Sequence, residues 1–150
     1  MPVDVHVPED AFRMPLTVRY YEADQQKVVF HGWYLNYFDE AFMAYLDSVG
    51  FGYDRAHADK VDFMVVHSEI DWHASLRWPG AAQIAVSPVH IGTSSLTVDF
   101  AAICDGEAVC SARNVYVTID LDEQARIPAP GALREAVANA GPLRRPRAGR

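Results

Sequence analysis

The side chains able to do chemistry in this chain are gathered in one run, Tyr20-Tyr21-Glu22-Ala23-Asp24-Gln25-Gln26-Lys27-Val28-Val29-Phe30-His31-Gly32-Trp33-Tyr34. Asp24 stands seven residues before His31, and His31 stands where a long apolar helix is predicted to begin. The first turn of a helix offers backbone N–H groups without intrahelical partners and a partial positive charge. Such donors stabilise the oxyanion that forms when a carbonyl is attacked. A carboxylate facing that point can attack the carbonyl carbon or activate a water to do so. Val28, Val29 and Phe30 would form a dry wall around the reacting group, with Tyr34 beside them as a further lining residue. Hydrolysis of an ester or thioester fits these parts with no metal and no cofactor. Each residue also has a plainer reading. Asp24 is the type that satisfies backbone donors in a turn, His31 suits packing or capping at a helix start, and Tyr34, Tyr37, Phe38 and Phe42 suit a core.

The elements that must position this run follow from hydrophobic period. Leu16 to Tyr21 is β-branched and aromatic and predicts a strand. Trp33 to Val49, stopped by Gly50 and Gly52, predicts the strongest helix. At 100° per residue its polar members Asn36, Asp39, Glu40 and Asp47 fall within roughly 100° of arc. Tyr34, Leu35, Tyr37, Phe38, Ala41, Phe42, Tyr45, Leu46 and Val49 occupy the rest. A surface helix has the opposite proportions, so this helix must be wrapped. Phe63 to Leu76 alternates, with Val66, Ser68, Ile70 and Trp72 on one face and Val65, His67, Glu69, Asp71 and His73 on the other. Trp78-Pro79-Gly80 reads as a turn. Residues 82–91, 94–104 and 107–120 read as further strands, joined at Gly92 and at Asp105-Gly106, a strong hairpin signal. A short helix is predicted over about 131–140. Short connections mean a mostly antiparallel sheet. The expected fold is α+β, a long central helix wrapped by a curved five-stranded sheet.

Composition narrows the classes. The 150 residues are half hydrophobic and 22% charged, as in one globular domain spanning 1–150. Residues 1–14 read as a loose lead-in, and the Arg- and Pro-rich stretch 141–150 as a solvated tail. No apolar run approaches the roughly 20 residues of a spanning helix, and the start lacks a signal-peptide pattern. A net charge of −7 argues against a nucleic-acid partner. Two cysteines, Cys104 and Cys110, read as free thiols in a reducing cytoplasm. His67, Glu69, Asp71 and His73 share a strand face, but alternate residues lie close to 7 Å apart there. All four cannot grip one ion, so a solvated or subunit-facing surface is expected and no metal site.

The run from Asp24 to Tyr34 resembles the signature of the 4-hydroxybenzoyl-CoA thioesterase family of hotdog proteins, including its Tol–Pal-associated acyl-CoA thioesterase branch. Asp24, Val28, Val29, Phe30, His31 and Tyr34 match it in order and spacing. The segments Val65–Asp71, Ile91–Ser95 and Ala112–Val117 look like the family's strands, so the likeness covers about residues 16–128. The resemblance implies the hotdog fold, a homodimer or homotetramer, and hydrolysis of an acyl-CoA or acyl-carrier-protein thioester with coenzyme A as part of the substrate. It implies that Asp24 is the catalytic carboxylate and that the backbone N–H at His31 polarises the carbonyl, with the His31 side chain a second candidate. Lys27 departs from the family's usual Gly; it either alters the loop or adds a positive charge near an anionic ligand. Asp39 and Glu40 on the helix are reserve acids, and Arg77, His90 and Arg113 are candidate coenzyme phosphate contacts. A non-catalytic dimer that binds an acyl ligand or a partner protein, and a hydratase or dehydratase on the same scaffold, are the alternative functions.

Overall fold

The structure, a computed structural model, describes residues 5–137 and 139–144. In chain order it contains β1 (Phe12–Thr17), a 3-10 turn at Tyr20–Glu22, α1 (Trp33–Ser48), α2 (Tyr53–Ala58), β2 (Val61–Trp72), β3 (Ala81–Ile91), β4 (Ser95–Cys104), β5 (Glu107–Asp120) and α3 (Gly131–Ala136). The strands form one antiparallel sheet in the order β1-β3-β4-β5-β2. With α1 on one face of it, this is the expected α+β hotdog architecture. Asp105 and Gly106 both have positive φ (51° and 78°), the type I′ geometry that joins two twisted strands most tightly.

The sheet covers α1 because the helix has little polar surface to offer water. Tyr34, Tyr37, Phe38, Ala41, Phe42, Tyr45 and Leu46 are buried, and the polar set Asn36, Asp39, Glu40 and Asp47 is exposed. Phe38 stacks on Phe100 of β4 at 5.2 Å between ring centres. Phe42 lies 4.2 Å from Tyr116 of β5 and meets Phe63 of β2 edge-on at 5.4 Å. Tyr45 meets Phe12 of β1 at 5.8 Å. One helix thus touches both edge strands, which requires the sheet to curve around it. Among the described residues no helix is long and apolar enough to cross a membrane.

Several expectations are corrected. The first strand is Phe12–Thr17, not Leu16–Tyr21. Its length is set by its partner, in register from Phe12 opposite Val86 to Thr17 opposite Ala81, so the lead-in already enters the sheet at Phe12. Pro15 is tolerated because β1 is an edge strand. The long alternating strand runs Val61–Trp72 and carries a bulge between Val65 and His67. Val65 lies opposite Tyr116, whose ring faces α1, so Val65 shares the helix side rather than the side of His67. The helix after Pro130 ends at Ala136, and α2 had no sequence expectation.

Arg144, read as part of a solvated tail, is only 6% exposed. Its guanidinium donates to Glu69 Oε2 at 2.8 Å and lies 3.5 Å from Asp71 Oδ2. Leu143 packs with Ala85, Ala101 and Ile103 on the sheet face away from α1, and its N–H donates to the buried Asp99 carboxylate at 3.1 Å. Arg145, Arg147 and Arg150 lie outside the described residues.

Phe100 is fully buried against Phe38. The Phe100→Ala variant should lose about 3–5 kcal/mol of stability. Urea unfolding checks this: the midpoint should fall while the slope m stays constant.

Candidate active site

The segment between β1 and α1 folds back as a small hairpin. Ala23 and Val29 pair across it. The Asp24 N–H donates to the Val28 carbonyl at 2.9 Å, and the Phe30 N–H donates to the Glu22 carbonyl at 2.9 Å. Asp24 therefore stands at the tip and His31 just beyond the base, where α1 starts. Lys27 closes the tip: its N–H donates to the Asp24 carbonyl at 3.0 Å, with φ at 59°. That left-handed conformation costs a non-glycine residue about 1 kcal/mol. Lys27 accepts it, so the loop keeps a glycine-type angle at position 27 and gains an exposed cation there.

The Asp24 carboxylate is exposed and does two things. Oδ1 accepts the Gln26 N–H at 2.8 Å and the Val28 N–H at 3.5 Å, the turn-stabilising role of an Asx residue. Oδ2 accepts no hydrogen bond from the described residues. Together with Tyr20, Tyr21, Lys27 and Trp78, Asp24 lines a cleft of about 310 Å³. Tyr20 and Trp78 meet edge-on at 5.0 Å within it.

The hairpin is clamped to the chain that follows β2. The Val29 N–H donates to the Leu76 carbonyl at 2.8 Å, and the Trp78 N–H donates to the Lys27 carbonyl at 3.0 Å. Val28 pairs with Arg77. Leu76 also hydrogen-bonds the Tyr34 hydroxyl through its backbone, while burial pushes that phenol up to about 12. Val29 and Tyr34 are consequently core residues. Of the four expected lining residues, only half-buried Val28 and exposed Phe30 present surface.

At the helix start, the His31 and Gly32 N–H groups donate to none of the described residues, whereas the Trp33 N–H is taken by the Phe30 carbonyl at 3.0 Å. The exposed His31 ring lies 4.1 Å from the Phe30 ring and meets Trp72, the last residue of β2, edge-on at 6.1 Å. No hydrogen bond joins Asp24 to His31. The structure thus groups Asp24 with Lys27 and Trp78 at the tip, and His31 with Phe30 and Trp72 at the base.

One residue of this segment had no assigned role in the sequence analysis. Glu22 is 1% exposed. Its carboxylate accepts the Arg19 N–H at 2.8 Å, the Arg19 guanidinium at 3.1 Å and the Tyr37 hydroxyl at 2.9 Å. Burial and this carboxylate together hold the Tyr37 phenol well above its ordinary range. Glu22 therefore ties the hairpin's root to the interior of α1. The available signal was Arg19 three residues before Glu22, with Tyr37 on the apolar side of the helix. The reserve acids are engaged elsewhere: Asp39 accepts the Tyr116 hydroxyl at 2.9 Å, and Glu40 lies 3.9 Å from Arg19. Arg113 is bound bidentately by Asp99 at 2.7 and 3.0 Å, which removes it from the candidate phosphate contacts. On β2 His67 meets Glu69, and His73, just past the end of that strand, meets Ser111. No group of three or more His, Cys, Asp or Glu among the described residues is arranged to hold a metal ion.

Glu22→Gln should cost about 2 kcal/mol and Tyr37→Phe about 1 kcal/mol, the former removing charge-assisted bonds and the latter one hydroxyl. The double variant should cost less than the sum, because both lose the same contact. A double-mutant cycle by urea unfolding measures this.

The sequence matches the family model described as the Thioesterase superfamily over residues 26–111, a match that begins just after Asp24. No curated protein matches it. Among solved structures, a thioesterase superfamily protein from Jannaschia sp. CCS1 is similar, with a TM-score of 0.81 at 22% identity, covering 87% of this chain and 92% of that one. A DHNA-CoA thioesterase from Staphylococcus aureus has a TM-score of 0.77 at 19% identity, covering 83% and 86%. A 1,4-dihydroxy-2-naphthoyl-CoA thioesterase from Synechocystis has 0.76 at 18%, covering 85% and 95%. These likenesses concern the fold, and the family match spans more than half of the sequence. The chain belongs to the thioesterase superfamily.

Proposed function

We propose that this protein is an acyl-CoA thioesterase in which Asp24 and the start of α1 act on the thioester. The observation that carries the reading is a pair of open ends on one hairpin: an unpaired Asp24 oxygen at the tip, and unpaired His31 and Gly32 N–H groups at the base. The thioester oxygen accepts hydrogen bonds from those N–H groups, which draws electrons from the carbonyl carbon. Asp24 then acts in one of two ways. As nucleophile it forms an acyl anhydride and expels the coenzyme A thiolate, and water hydrolyses the anhydride. As general base it takes a proton from water, whose oxygen adds to the carbonyl before the thiolate leaves. Neither route draws on a metal or a further cofactor. The exposed His31 ring, tilted against Phe30 at 4.1 Å, is the candidate for proton transfer. It is also the feature that favours the Tol–Pal-associated branch. The names of the Staphylococcus aureus and Synechocystis proteins support a coenzyme A thioester as substrate; an acyl-carrier-protein thioester carries the same reacting group.

Asp24→Asn is a clean test, because an amide oxygen still accepts the Gln26 N–H and preserves the turn. Hydrolysis of a panel of acyl- and aroyl-CoAs, followed by thiol release, should fall about 100-fold or more in kcat with an unchanged melting temperature. Equal turnover by wild type and variant rules the mechanism out. Tight acyl-CoA binding by a wild type that hydrolyses none of the panel favours the second reading, a non-catalytic binding protein. The turn role of Asp24 Oδ1 is the observation that sustains this second reading.

We also propose a homodimer formed across β2. This strand is a sheet edge and exposes Met64, Val65, Val66 and Trp72. An open apolar edge recruits a second strand. Pairing there would bring a second wall to the His31–Trp72 contact. Sedimentation should give a dimer, and Val66→Lys should shift it toward monomer. A wild-type monomer at micromolar concentration would defeat this assignment.

A further inference from the structure

We propose that residues 140–144 form a strap that acts as a tethered ligand of the sheet face turned away from α1. By filling this face the strap denies it to further copies of the chain, so that assembly stops at the two copies joined through β2. The number two rests on the β2 dimer proposed above; the occupied face rests on the following placement. Gly141 turns the chain with φ at 87°, an angle that favours glycine. Around it the strap lies across the strands. The Ala140 N–H donates to the Pro88 carbonyl of β3 at 2.9 Å, and the Ser87 hydroxyl donates to the Gly141 carbonyl. The Leu143 N–H donates to Asp99 Oδ2 of β4 at 3.1 Å. Arg144 ends the crossing on β2, donating to the Glu69 carbonyl at 3.2 Å and to Glu69 Oε2 at 2.8 Å.

These contacts make a recognition site of the sheet surface. Ser87 and Asp99 are fully buried, and each aims a polar atom at the backbone of the strap. Leu143 is 1% exposed, seated on Ala85, Ala101 and Ile103 with Val5 and Val7 of the lead-in beside it. Glu69 and Asp71 complement the arginine that follows the leucine. An apolar seat, two backbone contacts and an acidic clasp together select a Leu-Arg segment. The reach also fits. Three strand spacings separate β3 from β2, roughly 14 Å, and four extended residue steps cover roughly 13 Å. A second sheet would pack about 10 Å from the first, and the strap occupies that layer. The opposite face is covered by α1, and the β1 edge holds Pro15, which has no N–H to offer a new strand. In a β2 dimer the outer faces of two copies form one continuous surface. Each dimer then presents the same seat twice, and a second dimer would match it by symmetry once the straps were lifted.

The test measures mass by sedimentation equilibrium, from micromolar concentration upward, in about 0.3 M salt to screen the β2 acids. The proteins are wild type, Val66→Lys, the strap variant Leu143→Ser/Arg144→Ser, and the strap variant carrying Val66→Lys. Wild type should hold at two copies. The strap variant should double toward four, because Ala85, Ala101 and Ile103 lose their cover. With β2 blocked by Val66→Lys, the strap variant should pair through the outer face alone. Ser87→Ala, which leaves the strap's own sequence intact, should shift the mass in the same direction. An excess of the peptide Ala-Gly-Pro-Leu-Arg should return the strap variant to the wild-type mass, a response that misfolded aggregate does not give. Hydrogen exchange supplies a second readout: the wild-type Leu143 N–H should be protected about tenfold or more over an unstructured peptide. A wild type of four copies, an unprotected Leu143 N–H, a strap variant of wild-type mass, or a peptide without effect overturns the proposal. Equal masses for wild type and Val66→Lys mean that the β2 reading falls; a strap variant of twice that mass still upholds the occupied face.

Discussion

The structure depends on the need to bury one helix that is apolar around most of its circumference. Phe38, Phe42 and Tyr45 each engage a different part of the sheet. No flat sheet could serve all three, so curvature, strand order and the edge positions of β1 and β2 follow from covering α1. The chemistry follows as well. A helix buried on its sheet side offers backbone donors without intrahelical partners only at its start. The start of α1 opens beside the end of β2, where His31 meets Trp72.

Holding a loop at that opening demands interactions that cost free energy elsewhere. A buried carboxylate is expensive to desolvate, and Glu22 offsets this with three donors, one of them charged. Its backbone carbonyl meanwhile closes the base of the hairpin through Phe30. Leu76 performs the matching task from the other side, gripping Val29 and Tyr34 with its two backbone groups. The loop is thereby pinned at its root and flank, while its tip, with Asp24 and Lys27, stays in solvent. A site of this kind is rigid where it must hold position and open where a ligand must enter.

Much of this was legible in the sequence for local reasons. The reach of α1, the Asp105-Gly106 hairpin and strands β3 to β5 follow from period and turn chemistry, which act between near neighbours. The first strand was displaced because its extent belongs to its partner β3. The face of Val65 was assigned wrongly because a bulge inserts one residue into the alternation, and nothing in the local pattern announces it. Arg144 lies in a stretch whose composition indicates solvent, yet it is buried by acids about 75 positions away. Val29 and Tyr34 have the character of pocket residues and became core because Leu76 folds over them.

The amino-acid order alone therefore determined the wrapped helix, the antiparallel sheet and the placing of Asp24 and His31 on one loop ahead of the helix. These are consequences of side-chain period and short-range backbone preference. Only the tertiary structure decided that Glu22 is buried under Tyr37, that Lys27 takes a left-handed turn, and that Val28 pairs with Arg77. Those facts depend on which distant segment supplies the missing hydrogen-bond partner. A sequence read one stretch at a time holds no record of that choice, because the free energy deciding it appears only when the whole sheet has closed around the helix.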